Sequence, residues 1–133
     1  MTFSATELDY LRSQPLGRLA TVGADGVPQV NPVGFRVTSS GDVLIGGHAL
    51  ATTRKYRNVA ATGRAALVID DLVSRAPWTV RGIEIRGRAE ATTTDRPAGP
   101  GATTAVIRLR PDTVFTWGID APDQGMARRD ATT

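Results

Sequence analysis

The chain contains no cysteine. Disulfides, zinc–thiolate sites and thiol nucleophiles are excluded with it. It has one histidine, His48, so a paired-histidine metal site cannot form within one chain, and no metal is expected. No apolar run approaches the ~18 residues of a membrane-spanning helix, so no membrane partner is expected. The first ten residues, MTFSATELDY, lack the basic-then-apolar pattern of a secretory leader. There is no Gly-x-Gly-x-x-Gly, no Walker loop and no Gly-x-Ser-x-Gly. Hydrolytic chemistry therefore has no visible nucleophile, and no catalytic side chain is assigned. An enzyme of this kind would leave the difficult step to a bound cofactor. The expectation is a soluble, cytoplasmic protein.

What is present is ordinary in bulk and unusual in detail. The 133 residues are 41% hydrophobic and 22% charged, enough for one domain with a packed core. Of sixteen basic residues, Lys55 is the only lysine and the rest are arginine. The planar guanidinium grips phosphate or carboxylate with two donors. A GC-rich genome that writes Arg for Lys produces the same bias. The net charge of +3 is small for a nucleic-acid binder. Arg86 and Arg88 also alternate with Glu84 and Glu90, so no nucleic-acid partner is expected.

The periodicity predicts a mainly β chain with two helices. Ser4 and Glu7 form a capping-box pair at the start of a short helix that Pro15 ends. From Gly17 the period falls to two. Residues 18–22, Val27 to Val37 and 43–47 read as a three-strand meander with turns at Asp25-Gly26 and Ser39–Asp42. Pro28 and Pro32 mark the second of these as an edge or bulged strand. Thr52 to Thr62 reads as a helix with Gly63 as its stop. Further strands are expected at 64–69, 78–91, 105–109 and 114–117, with loops at Leu72–Pro77 and Pro97–Thr103 supplying the pocket lining. The sum is a six- to seven-stranded antiparallel barrel with helical plugs, an α+β fold. Residues 1–120 form the single domain, and 121–133 a mobile tail.

Three segments carry candidate chemistry. Thr53, Arg54, Lys55, Arg57 and Asn58 open the second helix, and between residues 52 and 64 there is no acid. Hydroxyls, cations and a positive helix end suit phosphate; a solvated helix face gives the same composition. Asn31, Pro32 and Val33 lie in the proline-marked strand, where Gly34 allows a flat ligand close to the backbone; a plain bulged edge is the other reading. Trp78 and Trp117 suit core or interface packing.

The order of Gly-Arg-Leu-Ala-Thr, Val-Asn-Pro-Val, Thr-Arg-Lys-Tyr-Arg-Asn and Arg-Gly-Ile-Glu-Ile-Arg-Gly-Arg-Ala-Glu resembles the pyridoxamine 5'-phosphate oxidase-like superfamily. This is the split β-barrel of the FMN-binding type. Within it the chain is most similar to actinobacterial reductases that use the deazaflavin coenzyme F420, a subgroup that includes tetracycline-pathway reductases. The resemblance implies a homodimer with the cofactor in a groove at the interface. Lys55, Thr53 and Arg54 match the phosphate-binding segment, with Arg57 and Asn58 on the same helix. Asn31, Pro32 and Val33 match the strand under the ring system, and Trp78 or Arg81 reaches the partner's site. The tryptophan and arginine with which the oxidase reads pyridoxal phosphate have no counterpart here. The implied activity is hydride transfer from reduced coenzyme F420 to an activated C=C or C=N bond of a small organic molecule. The phosphodiester and oligoglutamate tail of that coenzyme suit a run of four cations. FMN, with one phosphate, is the alternative cofactor for an oxidase or reductase of this fold. A non-catalytic flavin-binding or sensing protein is another alternative.

Overall fold

The computed structural model describes residues 2–131. Helix α1 (Ala5–Ser13) starts as the capping pair predicts. The Ser4 hydroxyl accepts from the Glu7 N–H at 3.1 Å, and Glu7 Oε1 accepts from the Ser4 N–H at 2.9 Å. The chain continues through β1 (Gly17–Val22), β2 (Pro28–Val33), β3 (Phe35–Val37), β4 (Val43–Ile45), a 3-10 turn (Leu50–Thr52) and α2 (Arg54–Thr62). It ends with β5 (Arg64–Arg75), β6 (Trp78–Thr93), β7 (Ala105–Trp117) and β8 (Ala127–Asp130). The strands form one antiparallel sheet in the order β2-β1-β5-β6-β7-β4-β3, with β8 paired to β7.

This order corrects the expected meander. β1 and β2 pair, as do β3 and β4, but β2 and β3 lie at opposite ends of the sheet. Gly34 is the residue at which the chain leaves one edge and enters the other. The sheet curls so that one residue can join its two ends, giving a half-barrel of seven strands in the main path with β8 as an eighth.

Two other differences have local causes. β5 runs on through residues read as a loop, because Leu72 pairs with Val80 and Arg75 with Trp78 in a long hairpin. The two final strands of the sequence reading are one strand, β7. A bulge shifts its register between Arg86 and Gly87, opposite Pro111. Before the bulge the inward residues are Ala105, Ile107 and Leu109; after it they are Val114 and Thr116. The extra residue flips the alternation, and a period-two reading breaks there.

The segment read as a C-terminal tail contains a strand. Ala127–Asp130 pairs along β7 from Thr113 to Thr116, and Arg129 reaches α1. Residues 132 and 133 of that tail lie outside the described residues. The core is the concave side of the sheet: Leu19, Leu67, Ile69, Ile83, Ile85, Ile107 and Leu109 are fully buried there. No described helix is long and apolar enough to cross a membrane.

Candidate functional site

Helix α2 begins as predicted. Thr53 is its N-cap, accepting from the Tyr56 N–H at 3.4 Å, and Gly63 ends it in the left-handed region at φ 69°. Thr53 also donates to the Leu50 carbonyl at 2.6 Å, and Arg57 donates to the Thr52 carbonyl at 2.9 Å. The Tyr56 hydroxyl donates to the Thr92 carbonyl at 3.0 Å, which ties the helix to β6. Among the described residues, Arg54, Lys55 and Arg57 have no carboxylate within ion-pair distance. Arg64, counted with them in the sequence, instead lies 3.6 Å from Asp112. Three cations at the helix start are thus left without an acidic partner among the described residues.

The predicted residues on β2 divide by face. Asn31 points inward and is half-buried, Val33 is buried in the core, and Pro32 is exposed on the outer face. Val33 can therefore offer a ligand its backbone but not its side chain. Asn31 and Asn58 are joined by a residue that sequence reasoning missed. Gln29 donates to Asn31 Oδ1 at 2.8 Å, while Asn58 donates to Gln29 Oε1 at 3.4 Å and to the Thr21 hydroxyl at 3.1 Å. Asn58 is 6% exposed, so this chain of amides pins α2 to β1 and β2 from inside. Gln29 at i−2 from Asn31 was the available signal, since alternate residues of a strand share a face.

Trp78 is elsewhere. It begins β6 at the tip of the β5–β6 hairpin and is 70% exposed. The far end of that strand meets α2, where the Ala89 N–H donates to the Gly63 carbonyl at 2.9 Å. At ~3.3 Å per residue, the stretch from Ala89 back to Trp78 measures roughly 35 Å. Within one chain the structure does not bring Trp78 to α2. Arg81 is engaged locally: its guanidinium donates to both Asp71 oxygens, at 2.8 and 3.2 Å, and stacks 4.9 Å from the Tyr10 ring centre. The Tyr10 hydroxyl donates to Asp71 Oδ1 at 2.7 Å. Arg81 holds the Asp71 carboxyl below its usual range. Burial first, and then Asp71, pushes the Tyr10 phenol up. This cluster clamps α1 to the hairpin.

A second feature was not assembled from the sequence. A groove of about 600 Å³ lies between the end of α1, β3, the end of β4 and the 94–104 excursion. Gly34, Phe35, Arg36, Leu44, Gly46 and Gly47 line it from the sheet, and Arg12 from α1. The expected pocket loop Pro97–Thr103 does contribute, through Ala98, Gly99, Pro100 and Ala102; the Leu72–Pro77 stretch does not. None of the predicted cofactor residues lines this groove.

The half-barrel and its helices match known proteins. Residues 4–118 match the pyridoxamine 5'-phosphate oxidase family. The chain belongs to that family. It is 42% identical over 135 residues to the 5a,11a-dehydrotetracycline/5a,11a-dehydrooxytetracycline reductase of Streptomyces rimosus, covering 99% of this chain and 95% of the relative. The fold is shared with the heme binding protein from Mycobacterium smegmatis, at a TM-score of 0.72 and 22% identity. That match covers 97% of this chain but 59% of the larger protein. It is also shared with HupZ from Group A Streptococcus, at a TM-score of 0.71 and 18% identity, over 92% of this chain and 99% of that one. At such identities the likeness is one of fold. Family membership and the 42% identical reductase make the chain an oxidoreductase-type enzyme, of a family whose members bind flavin-type cofactors.

Proposed function

We infer that the protein is a coenzyme F420-dependent reductase acting on an activated C=C or C=N bond of a small organic molecule. The observation that carries this reading is the carboxylate-free cluster of Arg54, Lys55 and Arg57 at the start of α2. Such a cluster suits a cofactor with several negative charges better than one with a single phosphate. The 42% identity to a named reductase supports the reaction class. When bound, the deazaflavin would supply the hydride. The chain's own part is to bind, orient and exclude water. Arg54, Lys55 and Arg57, with the Thr53 cap, would hold the anionic tail. The β2 backbone from Asn31 to Val33 would lie against the ring, positioned by the Gln29–Asn58 amides.

The reading includes a cytoplasmic homodimer. The outward face carries Val30 at 63%, Trp78 at 70% and Val80 at 40% exposure, large apolar side chains that a second copy would cover. A partner's hairpin would bring its tryptophan to a site that its own chain cannot reach.

Fluorescence titration with coenzyme F420, run beside FMN, tests the cofactor. Coenzyme F420 is expected to bind at least tenfold tighter than FMN. Changing Arg54 and Lys55 together to Ala should weaken it more than tenfold, because charge-assisted contacts are each worth about 1.5–3 kcal/mol. Tighter FMN binding, or affinity indifferent to the double substitution, overturns the assignment.

A further inference from the structure

We propose that α1 is a hinged gate on the groove beside it, and that Arg129 of the C-terminal strand is its latch. From the reductase reading the proposal takes only that a ligand enters the groove, and it adds how that entry is controlled. The first argument is attachment. Among the described residues, no backbone hydrogen bond joins residues 2–14 to the sheet; those of this segment run within it. Helix α2 differs. The Gly63 carbonyl at its end accepts from the Ala89 N–H, and its Thr62 hydroxyl donates to the Val22 carbonyl at 3.1 Å. Side chains alone hold α1. Phe3, Tyr10 and Leu11 are buried against the core, and two polar ties fix the helix, one at Tyr10 and one at Glu7. Burial of those three apolar side chains keeps the gate mostly closed, so the open form is a minor population.

The second argument is leverage. The helix ends at Gln14, whose backbone is extended, and Pro15 and Leu16 are exposed before β1 begins at Gly17. The proline ring fixes one torsion there, so rotation concentrates at Gln14 and Leu16. At 1.5 Å per residue, Tyr10 lies roughly 6 Å along α1 from Gln14, and Glu7 roughly 10 Å. A given swing displaces Glu7 more than Tyr10, so the tie at Glu7 governs it. That tie is Arg129, which donates to both Glu7 oxygens at 2.7 and 2.6 Å and to the Thr2 carbonyl at 2.6 Å. Its strand, β8, has four residues, is mostly exposed and pairs along β7. Short terminal elements of this kind open locally at lower cost than core strands.

The third argument is place. Leu11, Arg12 and Gln14 form the α1 wall of the groove. The facing walls are fixed by backbone bonds. β3 pairs with β4 and β4 with β7, and the Thr103 N–H of the 94–104 excursion donates to the Gly47 carbonyl at 3.3 Å. Helix α1 is the wall that can move, by rotation about a few residues at its end.

The test uses the full-length protein. Hydrogen exchange should show the amides of residues 8–13 exchanging about tenfold faster in Arg129→Gln than in the wild type, with those of β5 and β6 unchanged. Arg129→Lys, which keeps one charged contact, should fall between the two. Combining Arg129→Gln with Glu7→Gln strands no buried carboxylate, and Gln still completes the capping box. In that double variant α1 should exchange as fast as in Arg129→Gln, and it decides the matter if the single variant does not fold. Stopped-flow mixing of the latch variants with coenzyme F420 should give association and dissociation both about tenfold faster, at nearly constant affinity. Unchanged exchange in α1, or exchange that rises equally in α1, β5 and β6, overturns the proposal whatever the coenzyme does. Local opening of α1 with an unchanged association rate overturns it too. If the wild type does not bind coenzyme F420, the reductase reading fails by itself. Anilinonaphthalene sulfonate then replaces the coenzyme as the probe, under the same rate criteria.

Discussion

At the scale of single residues, the firmest ion pair joins the two ends of the chain. Arg129 donates to both oxygens of Glu7, at 2.7 and 2.6 Å, and to the Thr2 carbonyl at 2.6 Å. Glu7 is 4% exposed and already serves the capping box. Burial raises its pKa, but the Arg129 and Ser4 hydrogen bonds outweigh that and leave it below the ordinary 4.5. Removing Arg129 strands a buried carboxylate. Arg129→Ala should cost about 2 kcal/mol in urea unfolding, and adding Glu7→Gln should recover part of it. Glu7 and Asp71 are both held down in the fold, so the unfolded chain binds more protons as pH falls. Their stabilisation is present above pH ~4.5 and is lost as acid titrates their folded forms. Tyr10 is shifted up from 10.0, so its contribution is present below pH 10 and lost above it. Glu7→Gln should flatten the acid limb of melting temperature against pH, and Tyr10→Phe the alkaline limb. Unchanged limbs would refute these assignments.

At the scale of elements, the β6–β7 ladder depends on one close approach. A Cβ at Gly87 would overlap the Arg110 carbonyl oxygen, which the bulge at Pro111 brings against the neighbouring strand. Backbone cannot retreat as a flexible side chain can, so Gly87→Ala should cost ~3 kcal/mol or more. Gly99→Ala, with open space around it, should change melting temperature little. Similar losses at both positions would show that the bulge is looser than its contacts imply.

At the scale of the molecule, the curled sheet is closed by its ends. β8 covers the half of β7 that β4 leaves free, and its Arg129 locks α1, whose last turn forms one wall of the groove. Truncation after Asp120 should therefore lower stability by roughly 2–4 kcal/mol. A truncated protein that melts like the full chain would show that β8 contributes nothing. If the proposed homodimer forms, sedimentation equilibrium should give twice the 14.1 kDa chain mass, and Trp78→Glu should shift it toward the monomer.

The sequence alone determined the local structure. The Ser4–Glu7 box, the Thr53 cap, the Gly63 stop and the alternation of Ile83 and Ile85 are all set by neighbours within a few residues, and the structure keeps each of them. The cation cluster on α2 was legible for the same reason, since i, i+1 and i+3 on one helix are fixed by the helix itself. What the tertiary structure decided is everything that depends on separation along the chain. Gly34 sends β2 and β3 to opposite edges, the bulge flips the facing of β7, and residues 127–130 pair with a strand more than ten positions earlier. Pairing free energy is gained only after a long loop has closed, and no local pattern records which edge will be open when it does. The groove has the same origin: Arg12, Arg36, Leu44 and Pro100 are unremarkable one by one, and only the curl of the sheet sets them around one space.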